Sequence, residues 1–348
     1  MKKYFILDDN KPFQPSTDKE RREDETYQYK KYYSEIDRFY QIEKNSLITE
    51  YEIPFSLYIH RNLGFELLLK SSPSLPAKIP SDLFKTEGDI MIKISDIPLY
   101  NEYLESLEKN PSSGRNIKEL KTIAIKEKSK ILMKNILQDP RSGENIKESS
   151  KLVEKIATSI FNDKETLYDL ISIKNYDYYT YTHSVNVAVL SIGMGITIGL
   201  PEDQVAKLGI GSMLHDIGKS LISPEILNKP SKLTAWEYQI MKNHVIDGER
   251  ILLEHKYFPK DSFSAVIQHH EKLSGKGYPL GLQASKINLY GKIIAIADCY
   301  DALTTQRPYK PALTPFKALS IIIKEIEDYD NELLKIFIKM LGKIESGC

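Results

Sequence analysis

Three short stretches early in the chain alternate apolar and polar residues. Phe55, Leu57 and Ile59 are followed by the turn-like RNLG and then by Phe65, Leu67 and Leu69; further on come Ile90, Ile92 and Ile94. Side chains of a strand project to opposite faces with a period of two, so these stretches predict a hairpin and a third strand. Before them, Tyr29, Tyr32, Ile36, Phe39 and Tyr40 recur at helical spacing, behind a charge-dense, solvated stretch at 17–31. Ser95-Asp96-Ile97-Pro98 has the residue types that open a helix. The first region, residues 1–135, is therefore expected to be a small α+β domain, regulatory or sensory in role, and it holds no Gly-rich phosphate loop.

From about residue 146 the pattern turns almost wholly helical. Helix starts are marked at Pro201-Glu202-Asp203 and at Thr234-Ala235-Trp236-Glu237, a capping-box sequence, while LSGKGYPLGL (273–282) must be a loop. NPSSGRNIKE (110–119) and DPRSGENIKE (139–148) echo each other as two turn-into-helix starts, and the second marks the expected boundary. The fold class that follows is mainly α: a C-terminal all-α domain over 136–348, preceded by the small α+β domain. The uncharged run Ser184–Leu200 is slightly short for a membrane span and carries three glycines, so it predicts a buried core helix and no membrane span.

Charge narrows the partners. The 48 basic residues equal the 48 acidic ones, which gives no support for bulk attraction to DNA or RNA polymers or to an anionic membrane. An anionic ligand would need local cations. Cys299 and Cys348 are the only cysteines, and MKKYFILDD is too short in apolar residues for a signal peptide, so a cytoplasmic protein with free thiols is expected.

Five of the seven histidines, His183, His215, His244, His269 and His270, spread over 88 residues, are accompanied by Asp216 and Asp298. Imidazole and carboxylate are ligands of divalent iron, manganese and zinc, and seven such groups exceed what one ion takes. His215 continues the helical stripe of Val205, Leu208 and Ser212. His244 follows Trp236 and Ile240, and Asp298 follows Gly291, Ile294 and Ala295. All three should face the core, where an unpaired charge is very costly and a metal supplies the partner. Two-metal clusters suit phosphate-ester chemistry. His60, His255 and Cys299 read as ordinary polar or packed positions, and Asp301 as a spare ligand or, more simply, a hydrogen-bonding group.

The order H…HD…H…HH…D resembles the HD-domain metal-dependent phosphohydrolases, and HDIGK (215–219), HHEKLSGKGYP (269–279) and DALTTQRPYK (301–310) are similar to the HD-GYP family over about residues 140–340. The resemblance implies a phosphodiesterase that opens cyclic di-GMP to linear pGpG, or on to GMP, through a hydroxide bridging two ions. One ion would take His183, His215, Asp216 and Asp298; the other would take Asp216, His244, His269 and His270. Four protein ligands each, with room for two more, favour iron or manganese over structural zinc. Lys219 would contact phosphate or donate a proton, Arg307 and Lys310 would grip phosphates, and Tyr278 would contact the ligand. A homodimer and signalling-protein partners fit the same class.

Two positions depart from the family pattern. Tyr179 stands where some members have a third-metal glutamate, and Ser274 replaces the usual aspartate of the LDGxGYP loop. Both favour a competing reading, a signalling module that binds nucleotide or a partner protein and hydrolyses little. The complete ligand set and Lys219 oppose it. A third reading keeps the chemistry and changes the cyclic dinucleotide.

Overall fold

The computed structural model describes residues 38–61, 64–109, 117–172, 180–229, 231–305 and 312–345. The chain divides into two compact units between Tyr103 and Leu104, earlier than the boundary near 135 that the sequence suggests. The reason is the helix Ile117–Gln138, which packs against helices of the second unit.

The first unit contains strands β1 (Phe39–Gln41), β2 (Glu52–Ile53), β3 (Leu57–Arg61), β4 (Gly64–Leu69), β5 (Ala77–Lys78) and β6 (Asp89–Lys93). Four form an antiparallel sheet in the order β1-β6-β3-β4, and β2 pairs with β5. The expected hairpin is β3–β4, and the Ile90/Ile92 stretch is β6. Phe39 and Tyr40, however, lie in a strand, with Tyr40 opposite Ile92; Tyr29, Tyr32 and Ile36 fall outside the described residues. The register set by the turn pairs Phe65 and Leu67 with His60 and Tyr58, and it shifts only beyond them, at Leu57/Tyr58. That puts them on the face opposite Leu57 and Ile59, and Leu67 is exposed. Helix α1 (Ile97–Lys109) follows a 3-10 turn at Ile94–Asp96. Its Tyr100 and Tyr103 are buried; the Tyr100 hydroxyl bonds Ser46 Oγ at 2.7 Å, and the Tyr103 hydroxyl donates to Ser46 O at 2.9 Å.

The second unit is helical: α2 (Ile117–Gln138), α3 (Gly143–Asn162), α4 (Glu165–Ser172), α5 (Thr180–Thr197), α6 (Glu202–Met213), α7 (Pro224–Leu227), α8 (Ala235–Lys242), α9 (His244–Leu253), α10 (Phe263–Gln268), α11 (Leu289–Thr304), α12 (Pro315–Lys324) and α13 (Asn331–Glu345). Local chemistry sets several starts. Ser142 caps α3 by accepting from Asn145 N, and α3 then buries Ile146, Ser149, Val153, Ile156 and Ile160 along one stripe. At α8 the capping box is complete: Thr234 Oγ1 accepts from Glu237 N, and Glu237 accepts from Thr234 N at 2.7 Å. Helix α5, formed from the uncharged run, is buried on nearly every position from Tyr181 to Gly195, as expected of a helix apolar all round. It packs against α2, α6 and α11 and is the axis of the unit. Among the described residues no helix is long and apolar enough to cross a membrane.

After α6 the chain runs through His215 and Asp216 into a 3-10 segment, Ile217–Leu221, that lies on α9. The approach is possible only at glycine. A Cβ on Gly218 would stand 1.9 Å from His244 O and 2.6 Å from Gly248 N. Gly218→Ala must therefore push the first turn of α9 away, and overpacking of this kind costs about 1–3 kcal/mol. Thermal unfolding is expected to show a melting temperature several degrees lower, with metal retention reduced as His244 moves. Gly64→Ala, where an added Cβ meets nothing within 4 Å, should leave the melting temperature nearly unchanged.

Candidate metal centre

The seven residues singled out by type and spacing arrive at one point, carried by five pieces of backbone. His183 comes from the first turn of α5 and Asp298 from α11. His215 and Asp216 lie just past the C-terminus of α6, His244 opens α9, and His269 and His270 follow the end of α10. The inward direction expected of His215 holds, but it sits two residues beyond its helix. The stripe through Trp236, Ile240 and His244 does not hold: α8 is a surface helix with Trp236 exposed, and the break at Asn243 lets His244 turn inward alone.

Asp216 is the meeting point. Its Oδ2 faces His215 Nε2 at 3.3 Å and His183 Nε2 at 3.8 Å; its Oδ1 faces His244 Nε2 at 3.3 Å and His269 Nε2 at 3.9 Å. Asp298 closes the rim, with Oδ1 3.0 Å from His183 Nε2 and Oδ2 3.8 Å from His270 Nδ1. Three groupings bring ligand atoms within 4.8 Å of one another: His183, His215 and Asp298; His244, His269 and His270; and, between them, His215, Asp216 and His269.

The outer nitrogens fix the tautomers. His215, His244 and His269 each donate Nδ1–H to the carbonyl three residues back (Ser212, Met241 and Val266), all at 2.7 Å. Their Nε2 atoms must then carry lone pairs. His244 Nε2 and His269 Nε2 stand 3.2 Å apart, two acceptors facing each other with no proton to share. His215 Nε2 and Asp216 Oδ1 are buried without a hydrogen-bond partner. Such a set of converging lone pairs fits a cation and little else. His183 is oriented in the same way by a carboxylate: its Nδ1 bonds Asp301 Oδ2 at 2.7 Å, and Asp301 Oδ1 accepts from Asn186 at 2.9 Å and Thr305 at 3.0 Å. Asp301 thus acts as a hydrogen-bonding group. Its position one helical turn after Asp298 is the signal by which a sequence reading could assign it.

Electrostatics agree with this geometry. Burial pushes His244 down to about 4 and His270 down to about 3, and it holds His269 well below the usual histidine range. All three are neutral near pH 7 and available as ligands. Burial alone would raise the Asp216 carboxyl, but His215, Lys219 and His244 outweigh it and hold the group well below the ordinary carboxylate value. Asp298 is likewise held low, by His183 above all, against its burial. Lys219 lies in the 3-10 segment, with Nζ 2.5 Å from Asp216 Oδ2.

The loop 273–282 covers one side. The Tyr278 ring lies 4.6 Å from the His270 ring, and Tyr278 N donates to His270 O at 3.1 Å. Burial raises the Tyr278 phenol above its ordinary value. Gly277 is required here, because an added Cβ would fall 2.4 Å from Lys272 N. Glu271, buried, clasps the loop by accepting from Leu280 N at 2.7 Å and Leu282 N at 2.8 Å. Ser274, in place of the aspartate, is itself anchored: its Oγ donates to Asp328 Oδ1 at 2.5 Å, while Lys272 Nζ meets Asp328 Oδ2 at 2.6 Å. Asp328 carries no sequence signal that marks it as part of the site, and Glu271, inside the HHEKLSGKGYP stretch, carries none for this clasping role. Tyr179, Arg307 and Lys310 lie outside the described residues.

Residues 165–333 match the HD domain. The chain is similar to a cyclic di-GMP phosphodiesterase of Pseudomonas aeruginosa, 34% identical over 200 residues, which are 58% of this chain and 48% of the relative. It is also similar to a cyclic di-GMP phosphodiesterase of Thermotoga maritima, 36% identical over 206 residues, 56% of this chain and 55% of the relative. The matched stretch spans about half the length of these curated relatives. In fold the chain is like an HDG"Y"P protein from Bdellovibrio bacteriovorus, with a TM-score of 0.67, 19% identity, and coverage of 87% of this chain and 99% of that one. An HD domain carrying this histidine–aspartate cluster points to divalent metal binding.

Without metal the histidines impose a pH dependence of definite sign. A histidine whose folded pKa is about 4, against about 6.5 when unfolded, binds fewer protons in the folded state. Unfolding then takes up protons below the unfolded pKa, and stability falls as the pH drops. The metal-free chain is expected to lose melting temperature steadily from about pH 6.5 toward pH 4, and to be flat above it. Asp216 and Asp298 lose their own contribution only at lower pH, below the ordinary carboxylate range. A melting profile that stays level between pH 7 and pH 4 would refute the neutral, buried state of these histidines.

Proposed function

We propose that this chain is a metal-dependent phosphodiesterase that hydrolyses cyclic di-GMP to linear pGpG. The observation that carries the reading is Asp216, whose two oxygens face two separate sets of histidine lone pairs. His183, His215, Asp216 and Asp298 would hold one divalent ion, and Asp216, His244, His269 and His270 the other. The all-nitrogen and oxygen donor set suits iron or manganese. Bound there, such a pair of ions makes water nucleophilic at neutral pH and neutralises charge on a phosphoryl group.

The chain's own residues do the remaining work. The Nδ1–H bonds and Asp301 hold the imidazoles in place, so no reorganisation is needed when substrate arrives. Lys219, beside Asp216, supplies positive charge where the leaving oxygen develops negative charge, or a proton to that oxygen. Tyr278 packs against His270 and offers a flat face for a nucleotide. Arg307 and Lys310, assigned through their spacing after Asp298, would grip phosphate oxygens. The α+β unit carries no such metal grouping among its described residues, and we read it as regulatory. The free Cys299 thiol suits a reducing compartment, the cytoplasm.

Metal analysis combined with chromatography of cyclic di-GMP digests tests the proposal. Two iron or manganese ions per chain and release of pGpG are expected; a single structural zinc, or tight cyclic di-GMP binding without turnover in the metallated chain, would overturn it. Asp216→Ala should lose both ions and all hydrolysis while far-ultraviolet circular dichroism remains helical. Lys219→Ala should lower kcat with metal retained, and Arg307→Ala should mainly raise KM, as uniform binding predicts. An unchanged kcat in the Lys219 variant would reduce it to a binding residue.

A further inference from the structure

Lys242 is the last residue of α8, two positions before His244, and Tyr238 lies one turn behind it on the same helix face. Its Nζ sits 4.9 Å from the Tyr238 ring and 5.4 Å from the Tyr278 ring, so the ammonium is held between two tyrosines at the edge of the metal centre. Other lysines around this unit are spent on carboxylates: Lys219 on Asp216, Lys229 on Glu237, Lys272 on Asp328 and Lys292 on Asp330. Lys242 has no carboxylate partner among the described residues.

Aromatic faces attract an ammonium but accept none of its three N–H bonds in the way an anion does. The rings therefore fix Lys242 in position and leave its donors uncommitted. Its surroundings are already rich in positive charge once the centre is loaded: two dications exceed the charges of Asp216 and Asp298, and Lys219 adds to the excess. An anion lying beside Lys242 would offset this excess of positive charge. The phosphate being cleaved would lie at the Asp216 cluster, where Lys219 already supplies a cation.

We propose that Lys242 binds the second phosphate of a cyclic dinucleotide, the one not undergoing hydrolysis, and so helps the site select substrates with two phosphates. This rests on the phosphodiesterase reading above and adds a residue that the sequence motifs do not include.

The test is steady-state kinetics of the metal-loaded chain with two substrates: cyclic di-GMP, with two phosphates, and bis(p-nitrophenyl) phosphate, with one. For Lys242→Gln, loss of a charge-assisted hydrogen bond should raise KM for cyclic di-GMP about tenfold. The rise for the single-phosphate diester should be smaller, kcat should change less than KM, and metal content should match the wild type. Lys242→Arg should restore most of the affinity. An unchanged KM for cyclic di-GMP in the Gln variant overturns the proposal. So does an equal loss on both substrates together with lost metal, which would make Lys242 a brace for Tyr278 and His270. Failure of the underlying reading looks different: the wild type would then cleave bis(p-nitrophenyl) phosphate and leave cyclic di-GMP intact, removing the substrate and this inference together.

Discussion

A carboxylate buried as fully as Asp216 persists only where positive charge meets it from more than one side, since desolvation of an isolated ion costs far more than a folded domain can spare. The helical unit is arranged around that requirement. Lys219 supplies one such charge; the histidine nitrogens around both oxygens are acceptors, each with its remaining nitrogen tied to a backbone carbonyl or to Asp301, so the rest would come from bound cations. The outward bonds matter as much as the inward ones. They prevent the imidazoles from turning to satisfy one another, and the mutual frustration of four lone pairs and two carboxylates is the capacity to bind cations.

That frustration is held in place by ordinary packing. Helix α5 supplies a buried, nearly charge-free axis against which α6 and α11 pack, and the ends of α9 and α10 carry His244 and His269 to the same cluster. The ligands stand mostly at helix termini, where the chain changes direction and one residue can be aimed independently of its helix. His215, His244 and His269 are all of this kind. Gly218 lets two such termini touch, which couples the HD turn directly to the backbone that presents His244.

The sequence made the mainly helical class and the β3–β4 hairpin readable, because periods of 3.6 and 2 survive in Ile146–Ile160 and in Leu57–Ile59. It also singled out the seven residues that converge, because histidines and aspartates at otherwise apolar positions are expensive without a purpose. It misread features set by tertiary context. Phe39 and Tyr40 have helical spacing with their neighbours but pair with β6. Trp236 looks like a core residue by period yet is exposed, since α8 is joined to α9 by a break at Asn243 that no local pattern announces. The sequence reading put the boundary at the second turn-into-helix start, DPRSGENIKE, whereas α2 before it packs with α3 to α5, contacts that no local pattern announces. Glu271 and Lys242 escaped notice for a related reason: charged residues next to a motif are usually solvated, and their roles depend on partners reached through space.

The tie between Ser274 and Asp328 has a bearing on how separable this site is from the rest of the chain. The loop with Tyr278 is fastened by a side chain 54 positions downstream, from the connection between α12 and α13, and Leu273 N bonds the carbonyl of the same residue. The signature segment is thus not a portable cassette. Grafted alone into another HD scaffold, it would bring a serine hydroxyl without its acceptor and a Lys272 without its counter-ion. Trimmed of its last two helices, the domain would keep every proposed ligand and lose the fastening of the wall beside them. Substitutions at 274 and 328 are accordingly read as one change distributed over two places, and the spacing between motif and C-terminal helices becomes part of the motif itself.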